Sequence, residues 1–199
     1  MLQEEGYIKF NCHWNEEPVS VPGELIETLD QWRTKLYEQK FIGAYPDGIG
    51  FGNLSVRLNN RHQFIVTGSA TGQLEKTGPE HYARVDSFQI ETNEVWCTGM
   101  VKASSESLSH AIVYQTLPGI NAVVHVHNLK LWEKWKDILP TTNEETAYGT
   151  PEMAMAISRL LSLRGNREEG ILIMGGHREG ILSYGKSIEQ ACGILLSLE

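Results

Sequence analysis

Three histidines and one glutamate carry the chemistry this sequence makes visible. His125 and His127 close the run Asn121-Ala122-Val123-Val124-His125-Val126-His127, and His177 follows the run Gly170-Ile171-Leu172-Ile173-Met174-Gly175-Gly176. Both runs read as buried strands, because a short apolar stretch rich in β-branched residues suits a sheet covered on both faces. Side chains alternate along a strand, so His125 and His127 point the same way, while Val126 faces the opposite side as a core anchor. Two imidazoles so placed can chelate one metal ion; taken alone, they read more readily as two ordinary histidines at a strand end. His177, at a second strand end 50 residues beyond His127, completes a set of three neutral nitrogen donors with an open fourth position. That is the ligand set of a catalytic metal site, most naturally Zn²⁺. The same donors are compatible with Fe²⁺, Mn²⁺ or Co²⁺. Glu106 is the acid/base candidate, provided the fold brings it to the metal. A carboxylate beside a dication stays ionised, ready to ligate the metal when empty or to take a proton in a reaction.

The elements that must position these groups can be read along the chain. Gly6 to Trp14 alternates, with Ile8, Phe10, Cys12 and Trp14 on one face, and predicts a half-buried strand that leaves His13 on the polar side. Gly23 to Lys40 predicts an amphipathic helix whose stripe is Leu25, Leu29, Trp32 and Leu36. Gly50-Phe51-Gly52-Asn53 opens a strand, and its glycines let backbone amides approach a ligand to which Asn53 adds a side-chain donor. Asn59-Asn60 reads as a hairpin turn leading to the strand Phe64-Ile65-Val66. That strand runs into Thr67-Gly68-Ser69-Ala70-Thr71-Gly72, a hydroxyl-rich loop suited to an anion. Two paired strands follow around Thr92-Asn93. Ser104 or Ser105 is expected to cap the next helix, with Glu106 in its first turn and His110 four residues on, on the same face, in a structural role. Leu129 to Lys136 predicts a short helix bearing Trp132 and Trp135. Ala147 to Thr150 reads as extended, Thr150 and Pro151 start the next helix, and Ser187 caps the last.

The chain has 199 residues, 41% of them hydrophobic and 21% charged, an ordinary globular composition. This mixture of strands, hairpins and helices predicts an α/β fold: one three-layer αβα domain over residues 1–199, with a central mixed, mainly antiparallel sheet. Residues 1–22 are expected to form an N-terminal strand and connection, extra to the rest of the domain. The net charge of -8 argues against a nucleic-acid surface, which needs a basic patch. A local site can still hold a phosphorylated small molecule. Cys12, Cys97 and Cys192 are dispersed and odd in number, as expected of free thiols. Neither a signal peptide nor an apolar run near the roughly 18 residues of a membrane span is present. The expected setting is soluble and cytoplasmic.

Several pieces resemble the class II aldolase/adducin family, and they occur in the family's order. They are Gly52-Asn53-Leu54-Ser55, Phe64-Ile65-Val66-Thr67-Gly68, Ala103-Ser104-Ser105-Glu106 with His110, Ala122 to His127, Ala147-Tyr148-Gly149-Thr150, and Gly176-His177 with Gly180. The family's zinc members are aldolases, epimerases and dehydratases of sugar phosphates. The resemblance implies that His125, His127 and His177 hold the metal and that Glu106 is the acid/base. It implies that Asn53, Thr67, Gly68, Ser104 and Ser105 bind the substrate's phosphate. It also implies a metal-dependent aldolase that cleaves a carbon–carbon bond in a small, phosphorylated hydroxycarbonyl compound through a metal-stabilised enediolate. The partner is then a sugar phosphate, and the assembly a cyclic homotetramer.

Two departures bear on specificity. About 20 residues separate His127 from Tyr148, where the sugar-phosphate aldolases carry a longer segment that lines the site. The Trp132/Trp135 helix is expected to form that wall instead. The chain stops at Leu198-Glu199, where aldolases of the family continue into a tail that helps close a neighbouring site. A proton donor must then come from elsewhere, and Tyr148 and Tyr45 are the tyrosines at hand. The alternatives are an epimerase, dehydratase or decarboxylase using the same site, or a non-catalytic adducin-like module. The retained histidines and Glu106 argue against the last.

Overall fold

The structure, a computed structural model, describes residues 8–58, 63–163, 165 and 167–198. The turn read at Asn59-Asn60 and the start of the first predicted strand lie outside the described residues. The chain runs β1 (Asn11–Asn15), α1 (Gly23–Glu38), a short hairpin of β2 (Gly43–Ala44) and β3 (Gly50–Phe51), β4 (Asn53–Arg57), β5 (Phe64–Thr67), β6 (Tyr82–Gln89) and β7 (Glu94–Gly99). It continues with α2 (Ser107–Thr116), β8 (Ala122–His127), α3 (Leu129–Trp135), α4 (Pro151–Leu163), β9 (Glu169–Ile173), β10 (Gly180–Gly185) and α5 (Ile188–Leu196). Eight strands form one sheet in the order β1-β7-β6-β5-β4-β8-β10-β9. Every neighbouring pair is antiparallel except β1 and β7, which are parallel. The sheet is therefore mixed and mainly antiparallel, as predicted.

Strand alternation divides the apolar side chains into two cores and makes the three layers. Val123 of β8 packs with α2 and α4, through Leu108, Ile112, Met153 and Ile157. Ala122, Val124 and Val126 face the other way, against Ile26, Leu29 and Leu36 of α1 and Ala191 and Leu195 of α5. All six side chains of β8 are buried, which explains the unbroken apolar run: neither face meets water. The histidines of β8 share the face of Val123, and Val126 is the core anchor expected.

The predicted α1 stripe is shifted. The buried residues are Ile26, Leu29, Arg33 and Leu36, while Leu25 and Trp32 sit half-buried at the margin. Arg33 can be buried because three loop carbonyls accept from it: Thr71 (2.8 Å), Gly72 (3.4 Å) and Glu75 (3.3 Å). Burial lowers its pKa from the usual arginine value.

The edge strand β1 brings the half-buried Cys12 and Trp14 onto the α2/α4 core, joined by Phe10 and the half-buried Ile8 from the residues just before it, and His13 is exposed, stacked on Trp96. The cysteines are free; Cys12 and Cys97 meet at 3.7 Å between sulfurs.

Candidate active site

β8 lies between β4 and β10, and its C-terminal end places His125 opposite Asn53 and Leu182, and His127 opposite Gly180. His177 occupies the tight turn joining β9 to β10, held by His177 N to Met174 O (3.1 Å) and Gly180 N to His177 O (2.8 Å). The fold thus brings the three histidines together. One ring nitrogen from each lies within 4.8 Å of the others, and all three side chains are withdrawn from solvent. The Gly175-Gly176 pair is required by the segment packed behind it. A Cβ would fall 2.0 Å from Thr142 O at the first glycine and 1.8 Å from Thr146 O at the second.

Hydrogen bonding determines which nitrogens face inward. His125 Nδ1 lies 3.2 Å from Ile181 O; a carbonyl only accepts, so Nδ1 carries the proton and Nε2 the lone pair. His127 Nδ1 is 2.8 Å from the Tyr45 hydroxyl, which itself donates to Glu179 Oε2 at 3.1 Å. A phenol has one proton, so Tyr45 accepts from Nδ1 of His127. The two Nε2 lone pairs then confront each other at 3.0 Å, an arrangement that a cation between them satisfies. Burial, and next the neighbouring histidines, push the pKa values of both rings well below the ordinary histidine value, so both are neutral. Neutral imidazoles with outward-bonded Nδ1 and convergent Nε2 fit a divalent metal ion.

Glu106 reaches this cluster. Its Oε1 is 3.9 Å from His177 Nδ1 and its Oε2 accepts from Ser109 Oγ at 2.6 Å. The expected capping differs: Glu106 itself occupies the N-cap position of α2, and neither serine does. Ser104 instead accepts from the Glu106 amide through Oγ (3.3 Å), and its carbonyl accepts from Ser107 Oγ (2.7 Å). Ser104 and Ser107 hold the turn that delivers Glu106. His110 is structural, as expected: its Nδ1 is 2.7 Å from Ser55 Oγ, which also lies 2.7 Å from Tyr114 Oη. Complete burial lowers its pKa to about 3.

Asn53, Gly68, Ser104 and Ser105 line the cleft beside the histidines, together with Ser69 to Gly72. Thr67 does not; its Oγ1 accepts from Leu54 N at 3.2 Å and ties β5 to β4. Asn53 Oδ1 is buried without a partner among the described residues. Because Arg33 draws the carbonyls of Thr71 and Gly72, the amides across those two peptide planes point away from it. Gly72 has no room for a side chain: a Cβ would lie 2.3 Å from Gly43 O.

The wall also departs from expectation. Trp132 and Trp135 do not line the cleft; their indole N–H groups donate to Met174 O (3.1 Å) and Leu198 O (3.2 Å), on the α1/α5 side. Aromatic cover comes from Phe51, stacked on His127 at 5.3 Å, and Tyr148, stacked on His177 at 4.4 Å. Tyr148 sits in a turn rather than an extended piece, with Gly149 at φ +67°. Lys9 Nζ lies 3.6 Å above the Tyr148 ring. The sequence reading missed Arg33, Phe51 and Glu179, which carry no periodicity of their own. A short glycine-bounded hairpin beside the Gly-Asn element was the one available sign for Phe51.

Comparison with known proteins places relatives beside this chain. The sequence profile described as "Class II Aldolase and Adducin N-terminal domain" matches residues 47–199. An L-fuculose phosphate aldolase of Methanocaldococcus jannaschii is 26% identical over 170 residues, covering 79% of this chain and 82% of that protein. A methylthioribulose-1-phosphate dehydratase of Leptospira interrogans is 29% identical over 96 residues, which span 45% of this chain and 39% of that protein. Among solved structures, an L-fuculose 1-phosphate aldolase superposes with a TM-score of 0.66 at 23% identity, over 89% of this chain and 82% of that one. A sugar-phosphate aldolase from Thermotoga maritima gives 0.64 at 14% identity, over 88% and 90%. At these identities the structural likeness is one of fold. Among the described residues, no helix is long and apolar enough to cross a membrane.

Proposed function

Because this chain belongs to the class II aldolase and adducin family, we propose that it is a metal-dependent lyase that cleaves a carbon–carbon bond in a small, phosphorylated hydroxycarbonyl compound. The observation that carries this reading is the convergence of His125, His127 and His177 with Glu106 Oε1 at 3.9 Å from the third of them. His125, His127 and His177 would hold a divalent ion, Zn²⁺ by preference, with Fe²⁺, Mn²⁺ or Co²⁺ accepted by the same nitrogens. Bound there, the ion supplies Lewis-acid stabilisation of the negative charge that grows on oxygen as the bond breaks.

The other residues handle protons and position. Ser109 fixes one oxygen of Glu106, leaving the other turned to the cluster to exchange a proton with the substrate carbon next to the carbonyl. The phosphate is assigned to neutral donors: the side chains of Asn53, Ser104 and Ser105, and the amides of the loop that Arg33 anchors; Gly68, whose own amide donates to His81 O at 2.8 Å, lines the cleft and gives the anion room. Thr67 contributes by ending the strand that presents Gly68. This reading brings with it a homotetramer in a cytoplasmic setting.

A dehydratase is the second reading, favoured by the match to methylthioribulose-1-phosphate dehydratase. The same groups would then expel water rather than a carbon fragment. A screen of sugar phosphates and 2-hydroxy acids against the metal-loaded protein tests both. Release of an aldehyde supports the lyase; loss of water with the carbon chain intact supports the dehydratase. No turnover of any compound by protein with its metal bound would overturn the proposal.

A further inference from the structure

The metal ligand His127 is held from outside by a pair of side chains that the reaction as proposed does not use. Tyr45 lies between β2 and β3, ahead of the matched segment 47–199. Its hydroxyl is 2.8 Å from His127 Nδ1 and 3.1 Å from Glu179 Oε2. Glu179 belongs to the turn that carries His177, so one phenol connects the strand end bearing one candidate ligand to the turn bearing another. Glu179 also adopts φ +73°, a left-handed conformation that costs a non-glycine residue energy and persists only where the surroundings enforce it. Its carbonyl accepts from Asn128 N at 3.0 Å, and its carboxylate accepts from Tyr45. Phe51 stacks on the His127 ring at 5.3 Å, with an interplanar angle of 12°, so rotation of the imidazole is opposed by packing as well as by hydrogen bonding.

We infer that Tyr45 and Glu179 form a positioning pair for His127, setting its tautomer and tying it to the His177 turn so that the site is assembled before metal arrives. This rests on the proposed reading of the three histidines as ligands. The direction of the bonds follows from proton inventory. The carboxylate can only accept, so the phenol proton goes to Glu179. The phenol oxygen then accepts from Nδ1, and Nε2 is left as a lone pair facing His125. A hydrogen-bonded carboxylate behind a ligating imidazole raises the ligand's basicity and fixes its ring.

The test is cobalt(II) affinity, read from its visible absorption, for the wild-type chain and for Tyr45→Phe, Glu179→Gln and the double variant. Tyr45→Phe keeps the ring that packs beside Phe51 and removes only the hydroxyl. The expected result is a dissociation constant about 10- to 100-fold weaker for Tyr45→Phe, a smaller loss for Glu179→Gln, and a double variant no weaker than Tyr45→Phe, because the two act as a unit. Long-range proton–nitrogen NMR of the metal-free protein should show His127 protonated at Nδ1 in the wild type and mixed in Tyr45→Phe. Affinity within twofold of wild type, losses that add in the double variant, or an unchanged tautomer would overturn the inference. If Tyr45→Phe does not fold, Glu179→Gln decides it by the same affinity and NMR criteria. A wild-type protein that takes up no cobalt would overturn the reading of the histidines themselves, an outcome distinct from equal binding by wild type and variant.

Discussion

Glu106 Oε1 stands 3.9 Å from His177 Nδ1 with both side chains withdrawn from solvent. The carboxylate's other oxygen is committed to Ser109. One atom is thereby oriented toward the three-histidine cluster by a group that takes no part in holding metal. Glu106→Gln should therefore leave fold and metal content unchanged while turnover drops about 10²- to 10⁴-fold, the usual worth of a positioned acid/base. Steady-state rates beside elemental analysis of the same sample check this; undiminished turnover would place the base elsewhere.

Protein purified without a histidine tag should contain close to one divalent metal ion per chain. Stripping it with a chelator should abolish activity and lower Tm, and the ion restored should return both. Metal at about 1,000 times its Kd adds about 4 kcal/mol to the folded state, a change readily seen in thermal unfolding.

The pH dependence of the metal-free protein has a definite sign. Burial lowers the His110 pKa from 6.5 to about 3, and His125 and His127 are lowered in the same direction. The unfolded chain then binds more protons than the folded one between those values. The stabilisation is complete above pH 6.5 and is lost as pH falls from 6.5 toward 3. Denaturant titrations across that range should show it, and His110→Asn should flatten the part due to this ring. A stability independent of pH over the interval would contradict the assigned burial.

Arg33→Met tests the loop anchor. It removes the donor shared by the carbonyls of Thr71, Gly72 and Glu75. A buried acceptor left unpaired costs about 1–3 kcal/mol. Stability should fall by that order, and KM for a phosphorylated substrate should rise more than kcat falls. A fall in kcat with KM unchanged would mean the loop acts on the transition state rather than on binding.

Gly176→Ala tests the packing behind His177. The added methyl meets Thr146 O, so the segment leading to Tyr148 must move. Overpacking of this kind costs about 1–3 kcal/mol, and metal affinity should fall with it because Tyr148 stacks on His177. Calorimetry and cobalt titration of the variant report the two effects separately.

Much of the architecture was legible in the sequence because strands covered on both faces leave apolar runs, as in β8 and β9. The three histidines and Glu106 were legible because they stand at the ends of elements whose periodicity or caps could be read. What escaped were long-range polar partnerships. Arg33 was hidden because an arginine on a helix normally marks a solvated face, and its partners are loop carbonyls about 40 residues away. Tyr45 and Glu179 are separated by 134 positions, and no local pattern joins them. Thr67 matched a motif, yet its hydroxyl serves the neighbouring strand. The tryptophan helix was assigned to the wrong side of the sheet because a seven-residue helix does not reveal which way it packs.

The edge strand has a practical consequence. Lys9 lies over Tyr148, whose ring lies over His177, and the strand just after Lys9 is laid in parallel along β7. A stack of three groups therefore reaches from the edge of the sheet to the histidine cluster. Anything that displaces Lys9 is expected to disturb the ring that covers His177. Preparations that differ only in their leading residues should be compared before any rate is ascribed to the protein itself.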